Sequence, residues 1–65
     1  MKKIKEKRLN LNLDKEEVAR ELGIAVETLR KIELGYRTPS VKVIIRMAKL
    51  YKCSVDELLR LLEMM

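Results

Sequence analysis

The sequence predicts an all-α domain built from five short helices. Apolar residues recur at three- and four-residue spacing, and residues that cap or break helices separate the apolar segments from one another. The chain has no Trp or Phe and only two Tyr, so its core must come from Leu, Ile, Val, Ala and Met, a composition that favours helices. With 65 residues, the whole of 1–65 is expected to form one domain.

Capping and breaking residues set the boundaries of the predicted helices. Asp14 and Ser54 are each followed three residues later by Glu, the capping-box spacing that begins a helix, and Ser40 is a third N-cap. Pro39 keeps the residue before it out of the helical region. The helices are expected over about residues 2–9, 15–22, 26–34, 41–51 and 55–64.

The side chains expected to face inward follow from the apolar spacing within each helix. They are Ile4, Leu9, Val18, Ala19, Leu22, Leu29, Ile32, Val41, Ile44, Met47, Ala48, Tyr51, Leu58, Leu59 and Leu62. Cys53, just after the fourth helix, is also expected inward, as a small buried hydrophobe rather than a reactive thiol.

The segment from Leu22 to Gly35 is typical of the turn and second helix of a helix-turn-helix. Gly23 fits the left-handed conformation in which a helix ends, and the next helix begins within about three residues. Leu29 and Ile32 share the inner face of that helix, which leaves its charged residues for a partner. The motif makes DNA binding the leading hypothesis.

Charge is unevenly distributed along the chain, whose net charge is +5. Residues 1–12 carry five basic residues and one acid, Glu6, and residues 36–53 carry five basic residues and no acid. Two basic segments that flank a helix-turn-helix favour a phosphate-binding face. Ordinary solvated helix surfaces are the alternative interpretation.

The composition argues against several other functions. Without His and with a single Cys, the chain can form neither an intrachain disulfide nor a metal cage of Cys and His. It has no evident combination of a nucleophilic side chain with a general base. We therefore expect no enzymatic activity, cofactor or small-molecule ligand. No apolar run approaches the roughly 18 residues of a membrane span, and no signal-peptide core follows Met1, so a cytoplasmic protein is expected.

Individually weak motifs form an ordered set along the chain. They are Arg8, Leu13, Glu17-Val18-Ala19, Leu22-Gly23-Ile24, Thr28-Leu29, Ile32-Glu33, Gly35, Arg37, Pro39-Ser40, Met47-Ala48 and Ser54-Val55-Asp56-Glu57-Leu58-Leu59. Over about residues 4–60, this set resembles the lambda-repressor-like, Cro/XRE-type helix-turn-helix DNA-binding family. The chain departs from the family pattern at Lys15, Ala25, Val26 and Leu34, where members usually carry Gln, a hydroxyl residue, a polar base-reading residue and Asn.

The resemblance implies a five-helix lambda-repressor-like fold that binds double-stranded DNA through its third helix. The implied contacts are Val26, Glu27 and Lys31 with bases, Lys15, Thr28 and Arg37 with phosphates, and a structural ion pair between Arg8 and Glu33. Alternatives stay open for three of these assignments. Glu27 also fits a first-turn acid that complements the helix dipole, Val26 fits a partly buried turn residue, and the charges of the ion pair fit separate exposed groups.

The C-terminal end carries more apolar residues than one inward stripe uses. Leu61, Met64 and Met65 remain outside that stripe, as do Val43 and Leu50 on the fourth helix. Exposed apolar patches usually mark an interface, so we expect a homodimer formed through residues 43–65. A frayed terminus is the alternative.

These features lead to two hypotheses about function. The first is a bacterial or phage-type transcriptional regulator, a repressor that acts by occupying operator DNA as a homodimer. The second is a helix-turn-helix fold used as a protein-interaction or antitoxin-like module. The second is motivated by Val26, Glu27 and Leu34, which replace polar residues of the family.

Overall fold

The computed structural model describes residues 2–64, which contain five helices and no strand. The helices are α1 (Lys2–Asn10), α2 (Lys15–Leu22), α3 (Val26–Leu34), α4 (Val41–Leu50) and α5 (Val55–Leu61). The predicted all-α class is confirmed, and α2 and α3 have the predicted limits. The end of α4 lies one residue before the predicted limit of about residue 51, whereas the prediction that α5 reaches about residue 64 is wrong, because α5 ends at Leu61.

Two residues in the left-handed conformation explain these early helix ends. Lys52 and Glu63 have φ angles of 57° and 58°, which an α-helix cannot continue through. After Lys52, the Cys53 N–H donates to the Ala48 carbonyl at 3.0 Å. After Glu63, the Met64 N–H donates to the Leu59 carbonyl at 2.8 Å and closes the end of α5 in the same way. Neither residue is Gly or Asn, so no residue type marked these ends in advance.

Side-chain caps begin three of the helices where the sequence predicted them. The acceptor and donor pairs are Asp14 Oδ1 with the Glu17 N–H (2.8 Å), Ser40 Oγ with the Val43 N–H (3.3 Å), and Ser54 Oγ with the Glu57 N–H (3.0 Å). Gly23 ends α2 with a φ of 73°, as its lack of a Cβ allows. Ala25, which precedes α3, makes no side-chain cap.

The core lies where the inner faces of the five helices meet. Its buried apolar residues are Ile4, Val18, Ala19, Leu22, Leu29, Ile32, Val43, Ile44, Met47, Ala48, Tyr51, Leu58 and Leu62. Leu59 and Cys53 are half-buried and pack against this core. Most of the predicted inward residues are therefore in place.

Three predicted orientations are wrong. Leu9 is 51% exposed because Arg8 takes the inward position one helical turn after Ile4. Val41 is 72% exposed, whereas Val43, expected outside the core, is only 9% exposed. Helix spacing does not decide between the two valines, because at about 100° per residue Val43 lies about 40° from the buried Met47 and Val41 about 20° from the buried Ala48.

A buried ion pair fixes α3 to α1. Arg8 Nε donates to Glu33 Oε2 at 2.7 Å, and Nη2 reaches Oε1 at 3.4 Å. The two side chains are only 4% and 6% exposed. Arg8 Nη1 also donates to the Leu13 carbonyl at 3.0 Å, so one guanidinium holds α1, the α1–α2 loop and α3 together. Water does not screen this pair, and its geometry therefore sets the position of α3.

Tyr51 places an unsatisfied hydroxyl inside the core. The side chain is fully buried, and its oxygen has no hydrogen-bond partner within residues 2–64. Burial raises the pKa of this hydroxyl, and the nearby negative charge of Glu33 raises it further. The hydroxyl therefore stays protonated, as a buried donor without an acceptor.

The Tyr51→Phe variant is expected to be more stable than the wild type, because it removes this unpaired group and keeps the ring. The expected gain in the free energy of unfolding is about 1 kcal/mol, at the lower end of what an unsatisfied buried polar group costs. Urea unfolding followed by circular dichroism measures it. A large loss of stability would show instead that the hydroxyl has a bonding partner in solution.

Candidate nucleic-acid interface

The helix α3 is supported on one side and exposed on the other. It packs against α2 and α1, and Leu29, Ile32 and Glu33 form its buried face. Of the three residues predicted to contact bases, Glu27 and Lys31 lie on the opposite, exposed face, and Val26 lies between the two faces at the start of the helix. Val26 is 36% exposed, which also fits the alternative of a partly buried turn residue.

Glu27 forms an ion pair that the sequence interpretation missed. Its Oε1 accepts from Arg30 Nε at 3.0 Å, and its Oε2 accepts from Arg30 Nη2 at 2.5 Å. The spacing of three residues on a helix is a recognised signal for such a pair, so the sequence contained the information. Both side chains are exposed, which places the pair on the solvent face of α3.

The charges around Glu27 favour its ionised form. The hydrogen bonds from Arg30 lower the pKa of the carboxyl group, and the positive charges of Arg30, Lys31 and Lys15 lower it further. A lowered pKa means that the pair with Arg30 is complete at neutral pH and is lost only as the pH falls through that pKa. Of these three cations, Lys15 at the start of α2 has the smallest effect.

Two of the three residues predicted to bind phosphate come together. Thr28 and Arg37 line one depression of about 200 Å³, between α3 and the loop that leads to Ser40 at the start of α4. Lys15 does not line this depression. The three residues predicted to bind phosphate therefore do not share one depression.

Arg46 of α4 supports the turn between α2 and α3. Its Nη1 donates to the Leu22 carbonyl at 3.2 Å, which satisfies one of the free carbonyl groups at the end of α2. A Cβ atom at Gly23 would lie 3.0 Å from the same Nη1, closer than most real contacts. No local pattern predicted this contact, because 24 residues separate its partners.

The predicted C-terminal patch is smaller than the sequence suggested. Val43 belongs to the core, and Leu50 and Leu61 are half-buried against it. Met64 is exposed and lines a groove of about 210 Å³ with Thr38 and Pro39. Met65, the remaining member of the predicted patch, lies outside the described residues.

Three further features concern metal ligands, the cysteine thiol and membrane-spanning helices. Residues 2–64 contain no group of three or more His, Cys, Asp or Glu placed to hold a metal ion. Burial raises the pKa of the Cys53 thiol, which favours the unreactive protonated form at neutral pH. None of the helices in these residues is long and apolar enough to cross a membrane.

The arrangement of α2 and α3 defines the class of protein. Two short helices joined by a tight turn at Gly23, the second anchored by its inner face and open on its outer face, form a helix-turn-helix of the DNA-binding type. Comparison with known proteins agrees with this class. A helix-turn-helix family model matches residues 4–58, and the chain belongs to this family.

A curated relative supports the same assignment. A protein of Archaeoglobus fulgidus, named an uncharacterized HTH-type transcriptional regulator, is 30% identical over 56 residues. The aligned region covers 86% of this chain and 79% of the relative. No solved structure matches the chain significantly.

Proposed function

We propose that the protein is a transcriptional repressor that binds operator DNA as a homodimer. The observation that carries this proposal is the exposed, charged outer face of α3 on a helix fixed rigidly to the core through Leu29, Ile32 and Glu33. An α-helix fits the major groove, where base pairs are distinguishable by their donors and acceptors. The family and the name of the relative support a DNA-binding regulator. A DNA partner in turn implies a cytoplasmic location.

The exposed side chains of α3 suit contacts with base edges. Lys31 is a cation that can donate to guanine O6 or N7, and Val26 offers methyl groups to a thymine methyl. Glu27 lies on the same face and carries the acceptor groups that cytosine N4 requires. We assign these three residues to the base-contacting surface.

The flanking groups suit the phosphate backbone. Thr28 and Arg37 share a depression beside α3, with a hydroxyl and a guanidinium as donors. Lys15 stands at the N-terminus of α2, where its charge adds to that of the helix dipole. We assign Lys15, Thr28 and Arg37 to phosphate contacts that orient α3 in the groove.

Two lysine substitutions should have different effects on DNA binding. Lys31→Ala is expected to lower the affinity for the preferred site by about 1–3 kcal/mol and to relax base preference at one position in each half-site. Lys15→Ala should weaken binding to all sequences alike and reduce the dependence on salt. Fluorescence anisotropy with the preferred duplex and a scrambled duplex separates the two, with Arg20→Ala, at an exposed position of α2 outside the proposed contacts, as the control.

The proposed homodimer uses the C-terminal region, with Leu61, Met64 and Met65 as the sequence suggested. Of these three, Met64 is the exposed one in the described chain, beside the groove at Thr38 and Pro39. An apolar side chain at the rim of a groove suits contact with a second copy. Two-fold symmetry would then present two α3 helices to half-sites about 10–10.5 base pairs apart.

Met64→Asp is expected to shift the protein from dimer to monomer at micromolar concentration, because it places a charge at the proposed contact. Sedimentation velocity measures the change. Met64 is a better site for this test than Leu61, since Leu61 packs partly on the core and its replacement would also affect folding. A wild-type protein that sediments as a monomer at high concentration would contradict the proposed dimer.

A protein-interaction module is a second candidate, because the end of α3 is apolar. Leu34 is exposed, and Tyr36 in the following loop is 78% exposed. Such residues suit a protein partner better than a phosphate backbone. Anisotropy with generic duplex DNA at low salt distinguishes the two functions, since an interaction module without DNA contacts should show no binding.

A further inference from the structure

The ion pair on the outer face of α3 has a geometry that leaves part of Arg30 free. Glu27 occupies the side of the guanidinium formed by Nε and Nη2. A guanidinium has five N–H donors in a rigid plane, and this contact uses two of them. The outer hydrogens of Nη1 and Nη2 remain, and they form a second pair of parallel donors.

This second pair of donors matches one base in particular. Guanine presents O6 and N7 side by side in the major groove, and a bidentate contact from Arg is the commonest specific one. A guanidinium can bind a carboxylate along one edge and guanine along the next, because the two edges share Nη2 but use different hydrogens of it. The contact with Glu27 therefore does not compete with base recognition by Arg30.

The position of Arg30 on α3 agrees with such a contact. At about 100° per residue, Arg30 points between Val26 and Glu27 around the helix axis and lies about one turn further along. Its side chain is 46% exposed. The Arg30 side chain therefore points within the face of α3 that carries the proposed base contacts, and no other helix covers this side chain.

We propose that Arg30 determines sequence specificity by reading a guanine in each half-site, and that Glu27 is a positioning residue that holds the guanidinium in place. This inference rests on the proposed DNA-binding function and assigns a different role to Glu27 from that of a cytosine acceptor. A side chain that is already fixed loses less conformational freedom on binding. The carboxylate also offsets one positive charge at α3, which weakens attachment to phosphates of any sequence.

Selection of bound duplexes from a random pool tests the role of Arg30. The full-length wild type should enrich guanine at one position of each half-site, and Arg30→Lys should lose that enrichment because Lys keeps the charge but not the planar fork. The expected loss of affinity for the selected site is roughly 5- to 150-fold. Arg20→Lys, an exposed substitution of the same type on α2 and outside the proposed DNA contacts and dimer region, should select the wild-type sequence.

A double-mutant cycle tests the role of Glu27. Binding to the selected site is measured for Glu27→Ala, Arg30→Ala and the double variant, each checked by circular dichroism for wild-type folding. If Glu27 acts through Arg30, the Glu27→Ala substitution reduces guanine preference in the wild type and has no such effect in the Arg30→Ala background. A preference for cytosine that depends on Glu27 in both backgrounds would overturn the positioning role.

The results also separate this inference from the function on which it rests. If the wild type enriches no sequence, the proposed repressor function fails together with the role of Arg30. If the wild type enriches a site and Arg30→Lys enriches the same site equally, the function stands and the role of Arg30 is overturned.

Discussion

Glu33→Gln is expected to lower the free energy of unfolding by about 3–5 kcal/mol, the usual effect of removing one partner of a buried ion pair. The substitution keeps the shape of the side chain and removes its charge. The Arg8 guanidinium, only 4% exposed, is then left in the core without a carboxylate. A domain of this size has a total stability of roughly 3–10 kcal/mol, so the variant should be largely unfolded near physiological temperature.

Thermal and urea unfolding followed by circular dichroism measure this effect. Glu27→Gln is the matched control, because it removes a carboxylate from an exposed Arg pair and should change the unfolding midpoint little. Combining Arg8→Met with Glu33→Met should recover much of the stability, since two apolar residues replace two buried charges. Recovery stays incomplete because the Leu13 carbonyl loses its donor. A wild-type midpoint for Glu33→Gln would show that the pair does not fix α3.

DNA binding is expected to weaken steeply as salt rises, because phosphate contacts release bound cations from the duplex. With about 4–8 phosphates neutralised by a dimer, the logarithm of the association constant should fall with the logarithm of salt with a slope of about −4 to −7. Between 50 and 200 mM salt this corresponds to a loss of roughly 250- to 16,000-fold. Anisotropy titrations over that range provide the slope.

Substitution of the proposed phosphate-contacting residues tests whether they produce this salt dependence. Arg37→Ala and Lys15→Ala should each reduce the magnitude of the slope by about 1 for each phosphate contact that is lost. Arg20→Ala, at an exposed position outside the proposed contacts, should leave it unchanged. A slope near zero in the wild type would contradict the assignment of Lys15, Thr28 and Arg37.

Local signals in the sequence were sufficient to predict most of the fold. The N-caps at Asp14, Ser40 and Ser54 and the glycine at Gly23 act over three or four residues, and the structure has them in place. The ends of α4 and α5 were not predictable in this way. They depend on left-handed conformations at Lys52 and Glu63, and neither residue type prefers that conformation.

The candidate site was predictable where it depends on helix geometry. The exposed face of α3 follows from the spacing of its apolar residues, and the pairing of Glu27 with Arg30 follows from their separation of three. The support of the turn by Arg46 depends on how α4 packs against α2, which no pattern within one helix encodes. Helix spacing was likewise insufficient to choose between Val41 and Val43, since either could have faced the core of an isolated α4.

The most direct test of the proposed function is selection of duplexes bound by the wild-type protein from a random pool at low salt. We expect enrichment of a pseudo-palindromic sequence with half-site centres about 10–10.5 base pairs apart, as two α3 helices in successive major grooves require. Lys31→Ala should lose preference at one position of each half-site. If no sequence is enriched and generic duplex DNA is not bound either, α3 is not a DNA-reading helix, and the interaction module is the better description of this protein.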